Sequence, residues 1–295
     1  MVTRTRSVLL IAVCGLIASL AGCGSRQSTQ PPQPTNVLAY LHRVGESLTY
    51  QIMLLKSDGT TAAVGASNSY ISVVLAPNGQ TVLFSYWAGT GYQIATLSAD
   101  GTSQTMLAAG LYPRYTPDGC KIVYQSSGIS VMNSDGSNQT VLAGLTGEDY
   151  CFPATNGSII AVGMFGPGQQ GLATMNMDGS NSQIIIGTVY PIYPVFSADG
   201  SQIIFSNSGG QDENIYSIST NGSNLVQITN SIENWDPLVV GNKIYFDYIP
   251  PTIQNPTTDS NQIYSMGLYG SNLTAVTNDT LYDGFKTWNG LCLNP

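Results

Sequence analysis

The sequence predicts an all-β protein: a six-bladed β-propeller with four-stranded blades, closed by a C-terminal strand that joins the N-terminal blade (one strand plus three). Three observations lead there: a unit of about 40 residues repeated six times, a second series of turns interleaved with the first, and period-two alternation between them. The repeat is marked by turns ending in Gly59, Gly101, Gly136, Gly179, Gly222 and Gly270, mostly written Asp-Gly-Ser/Thr. Seven residues before these glycines stand Ile52, Ile94, Ile129, Leu172, Ile215 and Ile263, and four before them Leu55, Leu97, Met132, Met175, Ile218 and Met266. A period of this length signals a solenoid, propeller or array.

The interleaved turns are Pro77-Asn78-Gly79, Pro117-Asp118-Gly119, Thr155-Asn156-Gly157, Ala198-Asp199-Gly200, the degenerate Val240-Gly241-Asn242, and Trp288-Asn289-Gly290. Asn-Gly and Asp-Gly supply the positive φ that tight hairpins demand, so each marks a reversal of strand direction. Three residues on come Val82, Ile122, Ile160, Ile203, Ile244 and Leu293, and two further Phe84, Tyr124, Val162, Phe205 and Phe246. This alternation is that of β-strands, and no sustained helical period competes with it. Each unit is therefore read as strands A to D, which in the fifth unit are 195–197, 202–206, 214–219 and 225–229. Radial repetition of such sheets leaves only short edges, which favours a propeller over a linear array. The first unit has strands B to D (37–41, 50–55 and 61–64) but no strand A. Gly284-Phe285-Lys286-Thr287-Trp288 is the strand expected to supply it. The 291–295 tail has no place in the scheme.

The N-terminus reads as an address. Arg4 and Arg6 precede the apolar run 8–20, which is short for a membrane span and suits the core of a secretory signal. It ends in Leu20-Ala21-Gly22-Cys23, which resembles the lipobox of bacterial lipoproteins. The resemblance implies a signal peptide over 1–22 and lipidation of Cys23. The competing reading is an ordinary signal peptide with an incidental cysteine. More than one acyl chain gives stable anchoring. Gly24, standing where an aspartate would favour the inner membrane, points to the periplasmic side of the outer membrane. Residues 23–35, with Pro31, Pro32 and Pro34 among polar residues, form a lipidated tether, and 36–295 form the propeller.

The net charge is −8, and removal of Arg4 and Arg6 with the signal makes the chain more negative still. Nucleic acid is thus an unfavourable partner, since phosphate contacts need a basic face. Charged residues make up only 9 % of the chain, so its surface must be built largely from Ser, Thr, Asn, Gln and Gly. Cys120, Cys151 and Cys292 allow one disulfide and one free thiol, or three thiols; Cys120 with Cys151 is the candidate pair. No Cys-x-x-Cys occurs. His42 is the only histidine, which withdraws most histidine-based catalysis and metal binding.

Phe196-Ser197-Ala198-Asp199-Gly200-Ser201-Gln202-Ile203-Ile204-Phe205-Ser206, with Asn214-Ile215-Tyr216-Ser217-Ile218 and Gln227-Ile228-Thr229, is very similar to the WD-like repeat of the TolB propeller family. The resemblance extends over nearly all of 37–290 and implies fold more than function. The separate N-terminal domain of TolB has no counterpart in this sequence. Related repeats precede prolyl-oligopeptidase-type hydrolases, but no Gly-x-Ser-x-Gly elbow is present.

Every D–A connection carries an aromatic residue: Tyr70, Tyr112, Tyr150, Tyr193, Trp235 and Tyr282. The acids Glu148, Asp149, Glu233, Asp236 and Asp283 share these connections. Such loops surround one mouth of the channel, where aromatics stack on sugars, cations or peptide side chains. The other reading is that they pack the blade junctions. The B–C loops open on the same side, the longest over 249–261. Asp58, Asp100, Asp135 and Asp178 read as turn formers rather than calcium ligands. The leading functional expectation is a monomeric, membrane-anchored envelope module that binds a protein or glycan, without cofactor or metal. The alternative is an exported carbohydrate- or peptide-active enzyme whose paired carboxylates include Asp149, Glu233 or Asp283.

Overall fold

A computed structural model describes residues 36–44, 49–142, 151–164, 170–207, 213–230, 234–248, 262–277 and 283–284, with the side chains at 151–153 and 283–284 excepted. The described residues form six four-stranded antiparallel sheets arranged as the blades of a propeller ring. Blade one holds β1 (Asn36–Arg43), β2 (Tyr50–Lys56) and β3 (Thr61–Asn68). Blade two holds β4 (Tyr70–Leu75), β5 (Thr81–Trp87), β6 (Tyr92–Ser98) and β7 (Gln104–Ala109). Blade three follows with β8 (Leu111–Tyr115), β9 (Lys121–Gln125), β10 (Ile129–Asn133) and β11 (Thr140–Val141). Blade four has β12 (Cys151–Thr155), β13 (Ile159–Met164), β14 (Gly171–Asn176) and β15 (Gln183–Ile186). Blade five has β16 (Pro191–Phe196), β17 (Gln202–Asn207), β18 (Asn214–Ser219) and β19 (Val226–Gln227). Blade six has β20 (Asn234–Val240), β21 (Lys243–Tyr248), β22 (Gln262–Gly267) and β23 (Thr274–Ala275). Finally β24 (Asp283–Gly284) lies against β1, with Gly284 opposite Leu41 and Asp283 opposite His42. The rest of the expected closing strand, residues 285–288, lies outside the described residues.

The repeated aliphatic positions make the seams between blades. Ile52 and Leu54 meet Val82 and Phe84 between blades one and two, and Ile94 meets Ile122 and Met132 between two and three. Val131 with Val162, Leu172 with Phe205, and Ile215 with Phe246 continue the series around the ring. Leu38 and Tyr40 of β1 then pack with Ile263 of β22, so blade six rests on blade one. Burial of each such side chain is worth about 1.5–3 kcal/mol, which no single blade could recover alone.

The glycines that mark the repeat all take positive φ, from 76° at Gly101 to 87° at Gly136. Strand D is shorter than expected in blade five, two residues instead of five. Its outer edge faces solvent, and a side chain replaces part of the ladder: Thr229 Oγ1 accepts the Ile215 amide at 2.9 Å and donates to Asn214 Oδ1 at 3.1 Å. Thr277 does the same for Ile263 and Gln262.

The turn aspartates act as their sequence context predicts. In Asp100, Oδ1 accepts the hydroxyls of Ser98 and Thr102 and the Thr102 amide, holding its carboxyl at about 2. Hydroxyl bonds first, and backbone amides second, also lower the carboxyls of Asp58, Asp118, Asp135 and Asp178 below the ordinary 3.8. Each therefore binds a proton less readily when folded. The stability they contribute is complete above the unfolded value and is lost as pH falls through the folded one. The melting temperature should hold steady down to about pH 5 and fall between about pH 4 and pH 2. An Asp100→Asn, Asp135→Asn double variant, followed by thermal melts across that range, should show a shallower fall.

Candidate site in the channel

The first strands of successive blades touch one another, β4 with β8, β8 with β12, β12 with β16 and β16 with β20, which places them innermost around the axis. Three of them carry a bulge at the same level. Leu111 pairs with Gln125 and Arg114 with Val123, so Tyr112 and Pro113 together face Tyr124. Tyr193 and Pro194 face Phe205 between the pairs Ile192–Ser206 and Val195–Ile204. Asp236 and Pro237 face Phe246 between Trp235–Asp247 and Leu238–Tyr245. Proline lacks the N–H that the ladder would use, so it fits at such a bulge. The residue before each proline is left-handed: φ is 50° at Tyr112, 53° at Tyr193 and 52° at Asp236. A left-handed residue other than glycine costs about 1–3 kcal/mol and persists only where its surroundings enforce it. A bulge also re-aims the side chain it carries.

Those side chains converge. Tyr112 and Tyr193 pack together with Ile71, Leu111 and Ile192, although they belong to blades three and five. Arg114, Tyr193, Asp236, Pro237, Leu238, Val73 and Val74 line a cavity of about 20 Å³, drawing on blades two, three, five and six. That is room for a water molecule, not for a sugar ring. Tyr112, Tyr193 and Asp236 are all buried. Arg114 is half-buried; its Nη1 donates to the Pro113 carbonyl at 3.1 Å, and its Nε meets no acceptor among the described residues. Burial pushes its guanidinium down to about 10, against the upward pull of Asp236 and, after it, Tyr193 and Tyr112. It remains a cation at neutral pH. The arrangement offers a forked donor, a carboxylate and phenol rings around one small cavity.

Of the six D–A aromatics, Tyr70, Tyr112, Tyr193 and Trp235 fall among the described residues. Tyr112 and Tyr193 come together, joined by Asp236. Tyr70 stands apart: it pairs with Tyr86 outside the bulge, donates its hydroxyl to the Ala66 carbonyl at 2.6 Å, and packs edge-on against Phe84 at 5.2 Å. It belongs to the seam between blades one and two. Trp235 is half-buried beside Asp236 and pairs with Asp247. Tyr150, Tyr282, Glu148, Asp149, Glu233 and the loop 249–261 lie outside the described residues, as do Cys23 and the side chain of Asp283. Among the described residues no group of three or more His, Cys, Asp or Glu could hold a metal ion.

Sequence reasoning passed over Arg114 and Trp87. The Tyr-Pro, Tyr-Pro and Asp-Pro pairs at 112–113, 193–194 and 236–237 were the available signal for the bulges. Trp87 and Tyr92 close the B–C hairpin of blade two, with rings 4.9 Å apart and exposures of 44 % and 39 %. The Trp87 amide bonds the Ser69 carbonyl in the neighbouring D–A connection, which fixes this pair on the mouth side.

Fold and site together define a six-bladed propeller whose first strands bring an arginine, an aspartate and two tyrosines together. Comparison with protein-family models finds no match, and comparison with curated proteins finds none either. Solved structures do match. The putative TolB from Agrobacterium tumefaciens is 16 % identical with a TM-score of 0.63, over 82 % of this chain and 88 % of that one. A propeller from the nidogen/laminin complex is 15 % identical with a TM-score of 0.60, over 80 % of this chain and 91 % of that one. An oligogalacturonate lyase from Vibrio parahaemolyticus is 11 % identical with a TM-score of 0.54, over 80 % and 78 %. Likeness at these identities shows the propeller fold.

Proposed function

We propose that this protein is an exported, lipid-anchored module of the cell envelope that binds a partner protein at the D–A mouth of its channel. The observation that carries the reading is the convergence of three enforced left-handed residues, Tyr112, Tyr193 and Asp236, on Arg114. Strain of this kind is kept where a side chain must be aimed. A donor fork beside a carboxylate suits a peptide or amide group, which offers an acceptor and a donor together. The small cavity admits only the tip of such a group, leaving the rest of the partner on the rim near Trp87 and Trp235. A chain of similar fold in the nidogen/laminin complex is consistent with a protein-binding use. Lipidation at Cys23 and the tether over 23–35 would hold the mouth near the periplasmic face of the outer membrane. The pairing of β24 with β1 supports closure of the ring by the C-terminal strand.

The experiment is site-specific photo-cross-linking in cells. A benzophenone amino acid replaces Trp87 on the mouth side or, in a second strain, Tyr269, which is 83 % exposed in the C–D turn on the opposite face. A discrete protein adduct from position 87, absent from position 269, is the expected result. Adducts with glycan alone, or turnover of a polysaccharide by the purified protein, would replace this reading with another.

A further inference from the structure

In five blades the residue before the marker glycine is Asp58, Asp100, Asp135, Asp178 or Asn221, and its side-chain oxygen accepts the amide and the hydroxyl of the residue two places on. Blade six has Tyr269 instead, in a turn closed by the Gly270 amide on the Gly267 carbonyl at 2.9 Å. A phenol carries its oxygen too far from the backbone to make that cap, and the Tyr269 ring stands 83 % exposed. Leu273, just after the turn, and Leu225 and Val226, at the start of strand D in blade five, are exposed as well. The two segments adjoin: a Cβ on Gly270 would stand 3.2 Å from the Ile228 carbonyl oxygen, and Ile228 and Leu268 pack into one cluster. A contiguous exposed apolar patch marks a contact with a membrane or a protein.

Two observations point to a lipid surface. The first is where β1 begins. Asn36 pairs with Lys56 beside the C–D turn of blade one, and its Nδ2 donates to the Gly79 carbonyl in the A–B turn of blade two at 3.0 Å. The chain therefore enters the ring on the turn face, the face that carries Tyr269. It enters next to blade six, because Leu38 and Tyr40 of β1 pack with Ile263 of β22. The second observation is charge. The C–D turn carboxylates Asp58, Asp100, Asp135 and Asp178 belong to blades one to four, whereas exposed Lys243 pairs with Gly267 at the foot of the Tyr269 turn. In the described turns of blades five and six the single acid is Asp199, which is held by the Ser197 and Ser201 hydroxyls. With a net charge of −8, the chain can approach an anionic surface best through this sector. A tyrosine, aliphatic side chains and a lysine together fit the headgroup region, where the phenol spans the boundary and the ammonium reaches phosphate.

We propose that Tyr269, Leu273, Leu225 and Val226, flanked by Lys243, rest on the lipid bilayer and orient the ring with blades five and six against it. The channel mouth then opens away from the membrane, one strand length or about 20 Å above the headgroups. The proposal rests on the anchored reading above in one respect: an anchor holds the body at high effective concentration beside the surface, so a small patch suffices to orient it. Contact of position 269 with lipid also gives no protein adduct, in keeping with its use as the comparison for position 87.

Photolabelling from within the bilayer tests it. Full-length protein purified from the envelope is reconstituted in vesicles of phosphatidylcholine and phosphatidylglycerol, an apolar diazirine dissolved in the bilayer is photolysed, and carbene insertion is mapped by peptide mass spectrometry. Label over 267–273 and 225–226, with little on β7 of blade two, is expected. Tyr269→Asp restores the residue used by four of the other turns, so the melting temperature should not fall, while label at 225–226 should drop about tenfold. Met106→Ser removes exposed apolar surface from blade two and should leave the label unchanged. Label confined to other blades, or indifferent to Tyr269→Asp, would overturn the orientation. Self-association of the native protein in detergent, abolished by Tyr269→Asp, would overturn it too and give the face to a second copy. The mass of the N-terminal peptide judges the anchor separately. Acylated Cys23 with an unlabelled patch defeats the orientation alone; unmodified Cys23 with a labelled patch upholds the lipid contact and defeats the anchor alone.

Discussion

Gly163→Ala should be among the most destabilising single substitutions in the described chain. A Cβ there would stand 2.3 Å from the Pro191 carbonyl oxygen and 3.1 Å from its carbon. Gly163 belongs to β13 and Pro191 to β16, so the clash falls across the seam between blades four and five. The atom it meets is backbone, fixed in its own ladder by pairing with Asn207, and cannot swing away. The expected loss is about 3 kcal/mol or more, a fall of roughly 6–12 °C in melting temperature. Gly59→Ala is the control. Its φ is +80° and nothing lies within 4 Å of the added carbon, so only backbone strain of about 1 kcal/mol is expected. Equal melts for the two variants would contradict the inter-blade packing.

The second large effect concerns recognition. Asp236→Asn keeps a residue that tolerates the left-handed backbone and removes only the charge facing Arg114. Partner capture should weaken at least tenfold, about 1.4 kcal/mol, with little change in the melt. Binding by the native protein should decline as pH rises through about 10, where the Arg114 cation is lost. In the Asn variant the decline should begin at lower pH, because burial still disfavours the cation and its chief compensating charge is gone. Asp236→Val, β-branched at φ 52°, should unfold more easily as well. A capture profile unchanged in Asp236→Asn, measured by quantitative pull-down against pH, would remove Asp236 and Arg114 from the recognition surface.

The blades were legible because their cause is local. A glycine with positive φ and an aliphatic residue at a fixed offset are properties of one short segment, so Gly101, Ile94 and Leu97 announce a turn and a seam without reference to the rest of the chain. The site was less legible because a bulge is a relation between two strands. Tyr70 and Tyr112 look alike in sequence, each opening a first strand after a D–A connection. Only the pairing with β5 and β9 shows that one precedes its bulge and turns into a seam, while the other lies within its bulge and faces the channel. Arg114 carries no period at all. Its importance arises from residues far along the chain, Tyr193 and Asp236, that the closed ring brings to the same axis. Strand D of blade five was overextended in the sequence reading because Thr229 substitutes a hydroxyl for a ladder partner, and a hydroxyl leaves no trace in a pattern of alternation.

The most direct measurement of the central claim is photo-cross-linking in cells from position 87 compared with position 269, at matched expression. If the channel mouth is the recognition surface, position 87 yields a protein adduct that disappears on adding Asp236→Asn, and position 269 yields none. An adduct from position 269 of equal or greater intensity, or one from position 87 indifferent to Asp236, would contradict it.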